Sequence, residues 1–418
     1  MKLSKSAIIS EANQEAAKRM ITAHPVLVDV APAIKVIPGM TERTILHAGP
    51  PIEWDRMCNA MKGAIQAAIL FEGIASSPEE ALKIAKSGKV IFETNHEHQA
   101  VGSMTGVTSP SMPVWVVKDT VYGNSAYQAL DIGDFAGGNF HQKAVQYNLM
   151  VRDEVAPVLK AAIMEAKGID MKIWMSKAFH MGDELHNRCA AGTNLFAKMM
   201  MPNLVRTDFD RESLVRAADY LAAGKPSELI GIFLSMVSCK VACDAAKNVK
   251  NSSVVTAMSR NGVEFGIKVS GLGDVWFTGP SNVPKGLYHP PYREENANPD
   301  IGDSAITETR GVGGFIIATS PAIMGFVGGI ARDALNYTLE MGAITVAKDP
   351  EFTIPALDFQ GTPVGIDVRK VVETGILPII DTGIAHKEAG HPEIGGGLVR
   401  PPMEAFNKAL KAMSEEFR

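Results

Sequence analysis

The sequence predicts an α/β, multidomain protein: two α/β domains with a helical domain between them. Three observations predict it. Short strand-like runs alternate with helical patterns over residues 1–139, an Ala-, Met-, Leu- and Lys-rich stretch of helical periodicity fills 140–250, and strand-like runs return among dense glycines over 251–418. At 418 residues the chain also exceeds what one hydrophobic core ordinarily serves. No internal repeat or flexible linker separates the parts, so close-packed domains with a site in the cleft between them are expected.

In the first part, residues 7–21 read as an exposed Ala-, Glu- and Lys-rich helix, followed by a buried strand at Val26-Leu27-Val28-Asp29-Val30. Cys58 to Glu72 has helical apolar spacing. Ser77-Pro78-Glu79-Glu80 is a helix start, with serine at the cap, proline at the first position and acids in the first turn. Val90–Glu93 and Val114–Lys118 read as strands. The middle part holds helices such as Arg152 to Lys167 and Arg211 to Ala223. In the last part the expected strands are Val254–Met258, Gly266–Val269, Val275–Thr278, Ala343–Thr345 and Ile376–Ile380, closed by a helix from Pro402 to Phe417.

Charge excludes whole classes of function. The chain carries 41 Lys plus Arg against 46 Asp plus Glu, and the balance of −5 is spread along its length, so no nucleic-acid surface or polybasic membrane patch is indicated. Cys58, Cys189, Cys239 and Cys243 are too few and scattered for a disulfide framework. Met1-Lys2-Leu3-Ser4-Lys5 leads into a polar segment without a signal-peptide core, so a cytoplasmic location is expected. The uncharged stretch from Gly311 to Ala331 holds six glycines and Pro321, which favours a buried helix or helix pair over a membrane span.

Candidate chemistry concentrates between Asn251 and Gly329, where glycines surround isolated ionisable groups. Ser259-Arg260-Asn261-Gly262 puts a guanidinium suited to carboxylate or phosphate at the end of an expected strand; Asn-Gly alone would be an ordinary hairpin turn, the lesser reading here. Ser270-Gly271, Asp303 and Arg310-Gly311-Val312-Gly313-Gly314 extend the same reading. The last string is neither a Walker A motif nor a full dinucleotide fingerprint, so no nucleotide cofactor is expected, and an anion nest or close helix packing remains.

Histidines supply proton transfer. His96 and His98 point to one side, and share a metal or a ligand, only if their segment stays extended; in a loop their rings diverge. If Gly182-Asp183 breaks the chain, Asp183 caps the next helix and His180 sits at the break. Asp381-Thr382-Gly383-Ile384-Ala385-His386-Lys387 places a carboxylate, an imidazole and an ammonium after the last expected strand, with Gly395-Gly396-Gly397 and Arg400 as a second anion pocket. The expected catalytic residues are His180 and His386. The expected substrate contacts are His96, Arg260, Asn261, Ser270, Gly271, Asp303, Arg310, Gly313, Asp381 and Lys387.

Several strings together resemble one family over essentially the whole chain. They are His24–Val30, Leu46–Ile52, Phe179–Arg188, Thr256–Asp274, Asn298–Thr309, Val371–Ile376 and Asp381–Lys387. They resemble the YahG/YlbE-like proteins, whose best-understood branch is the AllG subunit of oxamate carbamoyltransferase. The resemblance implies an α/β protein with a helical insertion, working beside an FdrA-like (AllF) subunit and an AllH-like subunit, as a homo-oligomer within such a complex. The implied reaction joins oxalurate and phosphate with oxamate and carbamoyl phosphate in anaerobic allantoin (purine) catabolism. That chemistry asks for anion clamps and oxyanion donors and no covalent intermediate. The Ser-Thr-Arg-Thr-Arg phosphate motif of the ornithine and aspartate carbamoyltransferases is absent. Two other readings stand beside it: a noncatalytic partner of the FdrA-like subunit, and a metal-dependent lyase or hydrolase using His96 and His98.

Overall fold

The computed structural model describes residues 5–130, 133–222 and 229–416. Met1–Ser4, together with Ala223 and Phe417, at which two of the expected helices end, lies outside the described residues.

The protein is mixed α/β, with five sheets among the described residues. The largest has the order β4-β6-β5-β1-β7, made of β1 (Pro25–Pro32), β4 (Ala100–Val101), β5 (Pro113–Asp119), β6 (Ser125–Ala129) and β7 (Ile169–Asp170). The helix Ala156–Glu165 packs on β1, and Ile230–Ala245 packs on β5 and β6. Covering by helices explains why six of the seven β5 residues are buried. A two-stranded parallel pair, β2 (Thr44–His47) and β3 (Ile91–Thr94), delivers the loops that carry Gly49 and His96.

The last part contributes three antiparallel sheets. One has the order β10-β9-β8-β12, from β8 (Val255–Asn261), β9 (Glu264–Val269), β10 (Phe277–Pro280) and β12 (Ile301–Gly302). A second has the order β11-β16-β15, from β11 (Lys285–Tyr288), β15 (Ile380–Ile384) and β16 (Gly395–Val399); the third pairs β13 (Thr345–Ile354) with β14 (Gln360–Ile366). All seven residues of β8 are buried.

One apolar core runs through all three parts, uniting Ala16, Trp115, Trp174, Phe265 and Phe406. The N-terminal helix Lys5–Thr22 was expected to be exposed. It packs instead against β13, β14 and Ile230–Ala245, burying Asn13, Ala16, Ala17 and Met20 on one helical stripe. Asn13 accepts from the Ser253 N–H at 2.7 Å and donates to Asp367 at 2.9 Å, tying the two ends of the chain together.

Three expected strands differ in the structure, one of them Val275–Thr278, which is strand only from Phe277, the start of β10. Ala343 and Ile344 close the helix Ala331–Ile344, so strand geometry begins only at Thr345. The run Ile376–Ile380 becomes β15 only at Ile380, because Pro378 has no N–H to give a ladder. Asp381 therefore lies inside the strand rather than after it. The stretch after Gly311 folds as the 3-10 turns Gly313–Thr319 and Pro321–Ile323 and the short helix Met324–Val327. Among the described residues no helix is long and apolar enough to cross a membrane.

Candidate functional site

Asp303 is the hub where the first and last parts of the chain meet. One carboxylate oxygen accepts from the Gly49 N–H at 3.0 Å and from the Ser259 hydroxyl. The other accepts from the Asn95 side chain and the Gly102 N–H, each at 2.9 Å. Asp303 is fully buried, and burial raises its pKa above the usual carboxylate range while these four donors oppose the shift. Its role is to hold the loops after β2 and β3 against β8 and β12.

Beside it, the hairpin reading of Asn261-Gly262 is the one the chain adopts. β8 and β9 are antiparallel neighbours, and the Asn261 side chain accepts from the N–H groups of Val263 and Glu264, closing the turn. Arg260 is therefore a buried strand residue. Its guanidinium donates to both oxygens of Asp300, at 2.7 and 3.1 Å, to Gly302 O at 2.7 Å and to the Ser304 and Thr382 hydroxyls. The fork expected to clamp a substrate anion is occupied by a carboxylate of the chain itself.

The glycine loop after Arg310 behaves in the same way. Gly314 N–H donates to Glu308 Oε1 at 2.7 Å, and the adjacent Gly313 N–H donates to Glu184 O. Gly313 sits at φ +59, and a Cβ there would collide with Glu308 Oε1. The nest is thus built, but it cradles Glu308. Arg310 does not join it: its guanidinium faces away, donating to Asp349 at 2.5 Å and stacking on Phe352.

Around Glu308 lies a buried acidic group that sequence reading did not assemble: it named Asp183 and Asp381 separately and passed over Glu184. His186 Nδ1 is 2.8 Å from Glu308 Oε1. Glu184 Oε1 accepts from the N–H groups of His186, Asn187 and Arg188 at 3.3, 2.6 and 2.7 Å, which folds the loop between the helices Met171–His180 and Ala190–Arg206. Asp381 takes the Asn187 amide on one oxygen, while its other oxygen and Glu184 Oε2 have no hydrogen-bond partner among the described residues. Burial first, then the neighbouring charges of Glu184 and Glu308, hold Asp381 well above its usual range. Asp183 does not occupy the cap position of Ala190–Arg206, which Cys189 holds, but it reaches back to accept from Gly192 N–H in that helix's first turn at 2.7 Å. Among the described residues no three His, Cys, Asp or Glu side chains are arranged to hold a metal ion.

On the opposite side of Asp303, His96 and His98 lie on a 3-10 turn, Asn95–His98, and their rings diverge. His98 goes to Pro38 O and Glu93. His96 is buried, edge-on to Trp276, with Asp303 at 3.5 Å and neither ring nitrogen in a hydrogen bond. Burial and the ammonium groups of Lys240, Lys268 and Lys247 hold it well below the usual histidine range, so it is neutral.

The other expected residues are dispersed. Ser270 joins Ala246 O to the Val249 N–H, and Gly271 packs on Ser252, so both close a structural corner. His180 is exposed at a helix C-terminus, 2.8 Å from Thr353 Oγ1, away from the Asp303 network. His386 stacks on His391 at 3.8 Å and touches Tyr292; burial and His391 lower its pKa. Lys387 is exposed. Gly395-Gly396-Gly397 forms strand β16, where Gly396 leaves room for the Phe326 ring, and Arg400 pairs with Glu340; this is packing rather than an anion pocket.

A profile of the family described as "Oxamate carbamoyltransferase subunit AllG" matches residues 90–304. "Uncharacterized protein YahG" of Escherichia coli (strain K12) is 44% identical over 412 residues, covering 98% of this chain and 87% of that protein. "Oxamate carbamoyltransferase subunit AllG" of the same strain is 42% identical over 414 residues, covering 97% and 98%. The chain belongs to the AllG/YahG-like family. A crystal structure of a conserved protein of unknown function from Enterococcus faecalis V583 has the same fold, with a TM-score of 0.97 at 47% identity and both chains covered in full.

Within the AllG profile's span fall His96, Glu184, His186, Lys240, Arg260, Lys268 and Asp303; Glu308 and Asp381 lie beyond it. A sequence signal for Lys240 does exist. It is a lone cation in the apolar run Ile230–Ala245, with Asp244 four residues on. Glu308 carries no comparable signal for His186, which lies 122 residues off in sequence, and Glu184, bonded to the N–H groups of His186, Asn187 and Arg188, reads as an ordinary turn acid.

Proposed function

We propose that this chain is the AllG-like subunit of a carbamoyltransferase that interconverts oxalurate plus phosphate and oxamate plus carbamoyl phosphate in anaerobic allantoin catabolism. It works in the cytoplasm beside FdrA-like (AllF) and AllH-like subunits and binds small anions where its parts meet around Asp303. The observation that carries this reading is the 42% identity to AllG along essentially both full lengths. Phosphate attacks the carbamoyl carbon, a tetrahedral intermediate forms, and the oxamate nitrogen leaves with a proton. His96 and His386, both neutral by the direction of their shifts, are the imidazoles suited to move it. His180, exposed and bonded to Thr353, is set aside.

One observation favours a second reading. Arg260, the Gly313-Gly314 loop and the donors around Asp303 are all satisfied by the chain's own carboxylates. Such a molecule also suits a noncatalytic partner that shapes the FdrA-like subunit. Phosphate-dependent breakdown of oxalurate, measured with this chain alone, with its partners and with the partners alone, separates the two. A full rate from the partners alone sinks the catalytic reading.

A further inference from the structure

We propose that His96, Lys240 and Lys268 form a receptor for one oxyanion group, carboxylate or phosphate, of a small-molecule substrate, with Trp276 as its wall. The choice of probes rests on the carbamoyltransferase reading; the pocket rests on geometry.

Three ammonium groups come together beside His96 from two elements. Lys240 stands in the buried helix Ile230–Ala245 and is 0% exposed; Lys268 comes from β9 and is 1% exposed. Lys247, just past the helix, joins Lys240 on a single carboxylate, Asp244, at 2.9 and 2.7 Å. Among the described residues, the acids paired with Lys268 are Asp274 at 3.5 Å and Glu97 at 3.9 Å, whose side chains are 75% and 38% exposed. Around His96, then, the buried Lys240 and Lys268 and the partly exposed Lys247 have one buried carboxylate to pair with, Asp244, since Asp303, 3.5 Å from the ring, is taken up by its own four donors. Isolated buried charge is costly, and an anion is the group that removes the cost.

His96 supplies the independent sign of a ligand. It is 1% exposed, and neither ring nitrogen has a hydrogen-bond partner among the described residues. Buried polar groups are ordinarily bonded, so an imidazole left idle beside three ammoniums wants an acceptor for its N–H. Lys268 stacks over Trp276 at 5.0 Å, and Trp276 meets His96 edge-on at 5.6 Å, so the ring braces both donors. Glu97 and Asp274 lie at the solvent side, where an incoming anion displaces them from Lys268.

The test is titration of the purified chain at low salt with inorganic phosphate and with oxamate, read by calorimetry. Saturable binding of either is expected, weakened about tenfold or more by Lys268→Met, restored by Lys268→Arg and untouched by Lys411→Met on the exposed C-terminal helix. Phosphate alone binding assigns the pocket to the phosphate group; oxamate alone assigns it to the carboxylate. Water only, seen as no saturable binding of either probe, overturns the proposal, as does binding that survives both Lys268→Met and His96→Gln. If the variants lose anion binding as expected but the assembled complex forms no carbamoyl phosphate from oxalurate, the pocket stands and the carbamoyltransferase reading falls. If the complex is active while this chain binds neither probe, the reverse holds.

Discussion

Arg260 and Asp300 clasp each other in the interior through two hydrogen bonds, at 2.7 and 3.1 Å, with side chains 1% and 2% exposed. A residue that looks like an anion clamp in the sequence is a structural strut. Arg260→Ala is expected to cost about 3–5 kcal/mol, because it strands a buried carboxylate. Arg260→Lys is expected to recover little, since an ammonium cannot span both oxygens and still reach Gly302 O. Urea unfolding checks both. An Arg260→Ala protein with native stability contradicts the strut.

The acid group around Glu184 makes stability fall with rising pH. Burial, then the charge of Glu184, raises Asp183 from 3.8 to about 7, while Gly192 N–H and Arg188 oppose the shift. A carboxyl whose folded pKa is raised binds its proton more tightly when folded. Its contribution is complete below 3.8 and is lost as pH climbs through about 7. Asp183→Asn is therefore expected to reduce the loss of stability between pH 5 and pH 8, by on the order of a few kcal/mol. Denaturant midpoints at the two pH values measure it, and identical slopes in both proteins refute it.

Gly313→Ala is expected to destabilise by about 2 kcal/mol or more, from the left-handed backbone and from displacing Glu308. Gly342→Ala, where an added Cβ meets nothing within 4 Å, is expected to be neutral or mildly stabilising because the site is helical. Thermal melting of the pair distinguishes the cradle from a general intolerance of glycine replacement.

The thiols are expected to be inert. Burial pushes Cys239 up to about 12 and raises Cys58, Cys189 and Cys243 as well. Intact mass after iodoacetamide at neutral pH should show at most one label, on the half-buried Cys58, and four in urea. Fast native labelling of Cys239 overturns this.

Local signals read well from the sequence. Ser77 caps its helix as expected, its hydroxyl accepting from Glu80 N–H at 3.2 Å with Pro78 at the first position. The α/β class follows from such patterns, and the family from the strings that resemble it. What did not read was pairing across distance. Nothing near Arg260 announces Asp300, 40 residues on; Glu308 stands only six residues before Gly314, but a carboxylate of the chain and one of a ligand ask for the same donors, so the loop did not announce which it would hold. The apolar run at Ala343–Thr345 fits helix or strand equally, and packing decided it. His96 was expected as a substrate contact; its burial and its lysine neighbours, which come from residues 144 and 172 positions later, are joined by no local window.

The hub at Asp303 imposes an order on synthesis. The N–H groups of Gly49 and Gly102 close onto a carboxylate 254 and 201 residues downstream. As the chain leaves the ribosome, both loops stay open to water until well over half of it has been made. The first α/β part is then finished by the last, and a truncated product that ends before Asp303 carries two unmet backbone donors to whatever protease or chaperone meets it.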